Sequence, residues 1–161
     1  MSAAQQASDI LQNKETLPFI ISISSLTAMV VLSAIGATVG SVKASASAAM
    51  VAGRHADIMT KAYLPVLLAS ACFIYAMILV IISITHISYD MKLQKACNVM
   101  AATLIYGSTA MFVGIAIGSA NKTGLVRLSE NRGMFLSFLI LNSSLELPAI
   151  FAMICSIWML S

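Results

Sequence analysis

The chain has 161 residues, of which 60% are hydrophobic and 9% charged, against a charged share of about 25% in an ordinary soluble domain. Long uncharged runs recur from end to end, so the solvent around most of this chain is lipid. The formal net charge of +3 fits topology and contact with lipid headgroups rather than a nucleic-acid surface. The sequence carries no Gly-rich nucleotide loop, no Ser/His/Asp set and no metal-ligand cluster, so neither catalysis by this chain alone nor a metal or cofactor is expected.

Residues 1–16 are mostly polar. They lack the basic start, short apolar core and small-residue cleavage site of a signal peptide, so the first apolar run is expected to serve as its own signal. That run extends from Leu17 to Val42, and a second from Ala62 to Tyr89 is broken only by His86. A polar turn at 90–95 leads to a third run, Ala96 to Asn121, and the fourth spans Gly133 to Ser161. Each exceeds the roughly 20 residues that an α-helix needs to cross a bilayer. None alternates polar and apolar residues with the period of two that a membrane barrel requires. The expected fold is therefore an all-α membrane protein of four transmembrane helices in two tandem hairpins, 17–89 and 96–161. His55 and His86 fall at helix ends, and Cys72, Cys97 and Cys155 read as small core residues rather than disulfide partners.

Basic residues set the orientation. Lys43, Arg54 and Lys61 flank the turn between the first two helices, and Lys122, Arg127 and Arg132 the turn between the last two. Lys14, Lys92 and Lys95 lie on the other side. By the positive-inside rule the first set is cytosolic and both termini are lumenal or exterior. Asn121-Lys122-Thr123 is a glycosylation sequon and a built-in test of that orientation.

The chain repeats itself. "IGATVGSVK" from Ile35 matches "VGIAIGSAN" from Val113, and "IYAMI" from Ile74 matches "IFAMI" from Ile150, at offsets of 78 and 76 residues. Gly36-x-x-x-Gly40 and Gly114-x-x-x-Gly118 are spacings that let helix backbones approach closely in lipid. The repeat isolates one residue: Glu146, near the middle of the fourth run, has Ser70 as its counterpart in the first hairpin. The hairpin fold does not need an acid there.

An ionised carboxyl at the bilayer centre costs at least about 2.5 kcal/mol, so an intramembrane acid is a functional residue by default. No basic residue lies deep in the other three runs. Apolar surroundings then favour the neutral, protonated form, and a nearby cation the charged one. Such a group can carry a proton through lipid and release it where a positive charge or water is met, and the missing cation belongs to another protein. Asn142 and Ser143, at i−4 and i−3, can share its helix face. Pro148 denies the Ser144 carbonyl its usual donor, so a kink or a freed acceptor is expected beside the acid.

On these residues the chain resembles the proteolipid c subunits of vacuolar-type proton ATPases. "GATVGSVKASAS" is similar to their first helix, "KAYLPVLLASACFIYAMILVIIS" to the second, "GIAIGSANKTGLVR" to the end of the third and the turn beyond. "RGMFLSFLILNSSLELPAIFAMI" is similar to the fourth, with Glu146 at the position of the family's proton-carrying glutamate. The resemblance covers about Ser33 to Ser161. It implies a rotor ring of such double hairpins, with helices one and three inside and two and four outside. It also implies protonation and release of Glu146 at half-channels of an a subunit bearing an arginine, and central-stalk subunits at the cytosolic turns. The membrane would be that of the vacuole or another acidic endomembrane. An acid in the last helix, without an added N-terminal helix, is similar to the c or c′ members rather than c″. Sodium-carrying relatives place oxygen ligands where this chain has Ala71, Cys72 and Ile117, so the resemblance implies protons; Tyr75 matches a family tyrosine able to bond the acid. A small secondary transporter and a structural or channel-forming bundle are the other classes. The first would show a substrate cavity on broken helices, and the second would not need Glu146.

Overall fold

With no water to accept backbone hydrogen bonds, a chain in lipid must satisfy its N–H and C=O groups internally, and helices do so within one segment. The computed structural model follows this constraint. It describes the backbone of residues 3–52, 56–89 and 91–161, and the side chains of 16–51, 63–89, 91–131 and 133–161. Four helices follow one another: α1 (Ala3–Ala52), α2 (Ala56–His86), α3 (Leu93–Glu130) and α4 (Phe135–Leu160), with a 3-10 turn at Arg132–Met134. All four contain stretches long and apolar enough to cross a membrane, and no strand occurs among the described residues.

Apolar runs mark the lipid boundary but not where helices stop. The Ala-rich segment after Val42 is helical to Ala52, and α3 continues past Asn121 to Glu130, because Ala, Lys, Leu and Arg propagate a helix as well in water as in lipid. The 38 residues of α3 rise about 57 Å, well beyond a hydrocarbon core of about 30 Å. The expected turn from Lys122 to Arg132 is thus mostly helix, closed by Asn131, whose side chain accepts from the Gly133 N–H. Helix α2 ends at His86 and α3 begins at Leu93. The first turn, at Gly53, Arg54 and His55, lies outside the described residues, as do the side chains of Lys14, Lys61 and Arg132.

Helix α1 packs most extensively on α3, α2 lies against both, and α4 sits on α3 and more lightly on α2. At the α1–α3 seam a Cβ added to Gly36 would meet the Met111 Cα at 2.6 Å, and one added to Gly118 the Gly40 Cα at 2.5 Å. Only glycine permits that approach. Around the seam Leu26, Met29, Leu79, Tyr106, Val113 and Ile117 close the main core with alanines of α2 and α4. Outward faces are as apolar as the interior: Leu67, Ile81, Leu136, Phe151 and Trp158 are all exposed, which water would penalise and lipid does not. Several buried hydroxyls bond their own helix, Ser22 to the Pro18 carbonyl at 2.9 Å and Ser47 to that of Ala44 at 2.8 Å, as a water-free surround favours. Of the three cysteines only Cys72 is in the core. Cys97 and Cys155 are exposed, because their helix faces point away from the seam.

Candidate functional site

Glu146 stands in α4, a continuous helix through Pro148. Its buried line is Phe138, Asn142, Ala149, Ala152, Ser156 and Leu160. At 100° per residue Glu146 lies about 40° from the Asn142 position, so it sits at the edge of the buried face and is half-buried. Tyr75 of α2 meets it there, its hydroxyl donating to Glu146 Oε1 at 2.9 Å. Tyr75 and Leu145 pack on the main core beside Cys72, Ala76 and Ala149. Beneath them the fully buried Tyr106 donates to the Cys72 carbonyl at 2.6 Å, tying α3 to the α2 turn that presents Tyr75.

The remaining residues expected near the acid divide. Asn142 is turned away from it. Its Oδ1 accepts from Asn121 Nδ2 of α3 at 2.5 Å and its own Nδ2 donates to the Phe138 carbonyl at 2.9 Å. An amide in lipid goes to the partner that satisfies it most fully, and that partner is a second amide across the α3–α4 interface. Ser143 and Pro148 are exposed, and the Ser144 hydroxyl donates to the Ile140 carbonyl at 2.8 Å. Tyr75 is the hydrogen-bonding partner of the carboxylate among the described residues, and no described basic group pairs with it. Ala71, Cys72 and Ile117 bring no side-chain oxygen, and the described residues contain no cluster of acids, histidines and cysteines fit for a metal. Gly36, Gly40, Gly114 and Gly118 are all at the α1–α3 seam. They set helix spacing and do not touch the acid.

In the other hairpin Ser70 occupies the equivalent place, donating to the Val66 carbonyl at 3.0 Å, with Ser41 Oγ 3.4 Å away. A hydroxyl pair replaces the acid–phenol pair. The sequence marked Asn121 only as a sequon at the end of an apolar run and gave no sign of its contact with Asn142, and it did not mark Tyr106. Asn121 is fully buried and its Nδ2 also donates to the Ile117 carbonyl at 2.6 Å. With its turn on the cytosolic side, as expected, Asn121 should remain unglycosylated in microsomal translation. Efficient glycosylation of Asn121 would mean that the orientation is reversed.

Comparison with known proteins agrees with the architecture. The family model for the C subunit of ATP synthase matches residues 26–83 and 100–159, one hairpin each. The chain is 22% identical over 131 residues to the 16 kDa proteolipid c subunit of the V-type proton ATPase of Homo sapiens, covering 81% of this chain and 84% of that one. It is 25% identical over 134 residues to the V-type proton ATPase proteolipid subunit of Dictyostelium discoideum, covering 82% and 68%. Similarity to the 16 kDa proteolipid c subunit of Rattus norvegicus is 22% over 149 residues, covering 92% and 96%. With both hairpins matched separately and more than half of its length covered, the chain belongs to the family of ATP synthase C subunits.

Proposed function

We propose that this chain is a proton-conducting subunit of the rotor ring in the membrane sector of a V-type proton ATPase, and that Glu146 is the group that carries the proton. The observation that carries the reading is an acid in the last helix with one phenol donor and no described cation, in a repeat whose other copy holds Ser70. A neutral carboxyl can accept the Tyr75 hydrogen bond while its face is in lipid. Meeting an arginine of the stationary a subunit, it would be stabilised as the carboxylate and give up its proton. Other proteolipid copies, through the flanks of both hairpins, would complete the ring. The chain performs no ATP chemistry of its own; rotation would come from the cytosolic sector through stalk subunits at the 53–55 and Glu130–Met134 ends. Those ends would face the cytosol and the termini the lumen of a vacuole or other acidic compartment.

Protons rather than sodium fit the site because a desolvated sodium ion needs several converging oxygens, and the described side chains supply the Tyr75 hydroxyl alone. The experiment is ATP-driven acidification by vesicles carrying the assembled complex. It should proceed in sodium-free buffer, and millimolar sodium should leave carbodiimide labelling of Glu146 unchanged at constant pH. Acidification that requires sodium, or sodium protection that potassium does not reproduce, would overturn the proton assignment.

A further inference from the structure

The geometry points to Asn121 and Asn142 as positioning residues that fix the rotation of α4 about its own axis and so hold Glu146 against Tyr75. Among the hydrogen bonds of the described residues, two tie α4 to α3 through side chains. One is the Asn121–Asn142 amide pair at 2.5 Å and the other the Ser156 hydroxyl on the Ala102 carbonyl at 2.8 Å. They bracket Glu146, one helical turn before it and nearly three after it. All three side chains are buried, Asn121 and Asn142 completely.

The amide pair is anchored on both sides. Asn142 Nδ2 is held by the Phe138 carbonyl and Asn121 Nδ2 by the Ile117 carbonyl. The Asn121 backbone carbonyl accepts from Ser47 of α1 at 3.3 Å, so the lock reaches the glycine seam. Rotation matters here because Glu146 lies only about 40° from the buried line. A turn of a few tens of degrees would move the carboxyl from the Tyr75 hydroxyl to the lipid-facing side, where Ser143 and Leu147 are exposed. In an apolar interface side-chain shape alone constrains such rotation weakly, whereas the amide pair joins a donor of α3 to an acceptor of α4 in one register, with Asn142 satisfied at both ends and Asn121 Oδ1 left without a partner among the described residues.

The repeat supplies an internal control. At the 76-residue offset Asn142 corresponds to Val66 and Ser156 to Val80, and at the 78-residue offset Asn121 corresponds to Lys43. Lys43 reaches Ser119 of α3 at 3.2 Å instead of a partner on α2. Among the described residues the hairpin without the acid has neither of these two bonds, its helices being tied instead by the Ser41–Ser70 hydroxyls at 3.4 Å, and the hairpin with the acid has both.

The inference rests on Glu146 being the lipid-accessible acid, which labelling of the unmodified protein tests by itself. Asn142→Leu and Tyr75→Phe, singly and together, are compared in the assembled complex by the rate at which a hydrophobic carbodiimide modifies Glu146. Each single variant should speed modification by roughly three- to tenfold, the range of one net hydrogen bond. The double variant should be no faster than the faster single one, because both act through the same Tyr75–Glu146 contact. Asn121→Leu should match Asn142→Leu. Should Asn142→Leu fail to assemble, Asn142→Ser, which can still reach the Phe138 carbonyl but gives up Asn121, is scored in the same way. An assembled variant that melts earlier yet labels at the original rate would overturn the proposal, as would additive effects in the double variant.

Discussion

Replacing Glu146 by glutamine should reduce ATP-driven proton translocation to background while the complex still assembles. The amide has the shape of the protonated acid and can still accept the Tyr75 hydrogen bond that the carboxyl accepts at 2.9 Å, so α4 keeps its seat. It has no acidic proton to release, and it cannot become the anion that a cation would draw out. Removing an intramembrane acid without a fixed partner also spares the insertion cost of its charged form, at least about 2.5 kcal/mol. Assembly is therefore expected to be unimpaired. The check is acidification of vesicles set beside the amount of assembled membrane sector. Substantial pumping by the glutamine variant would remove Glu146 from the mechanism.

The second large effect belongs to the α1–α3 seam. At Gly114 an added Cβ would sit 2.5 Å from the Gly36 carbonyl carbon and oxygen and 3.0 Å from the Ala37 nitrogen. Those are backbone atoms and cannot step aside without moving the helix. Gly114→Val should thus part the two helices at the centre of the protein. The cost is at least the 1–3 kcal/mol or so of ordinary overpacking, and it is expected to show as loss of assembled complex. Gly124→Ala is the comparison. There the nearest obstacle is the Phe138 ring at 2.7 Å, a side chain that can turn, so the variant should accumulate close to normally. Equal yields of the two variants, read on native gels, would contradict the role assigned to the seam.

Much of this is legible in the sequence, for a physical reason. Lipid forces long apolar runs and intrasegment hydrogen bonding, so four spans and no barrel follow from composition and period. Glycines at four-residue spacing and a single acid inside the fourth apolar run stand out against such a background, and the Tyr75–Glu146 contact joins that acid to a tyrosine that the family resemblance marks. What is not legible depends on contacts between segments. Spacing puts Asn142 and Glu146 on neighbouring helix lines but does not say which partner each will choose. Asn142 is claimed by Asn121, a residue 21 positions away that reads as the end of a run. Tyr106 gives no local sign that it supports α2. Helix ends are misplaced by hydropathy because it reports where lipid stops, whereas Lys122 to Glu130 remain helical beyond it.

The central claim is that Glu146 is the lipid-accessible carboxyl that carries the proton, and the most direct measurement is mass-spectrometric mapping of carbodiimide adducts on the native complex. The account predicts a single dominant adduct at Glu146, which the Glu146→Gln variant loses. Adducts shared among Glu15, Glu130 and Glu146 would contradict it.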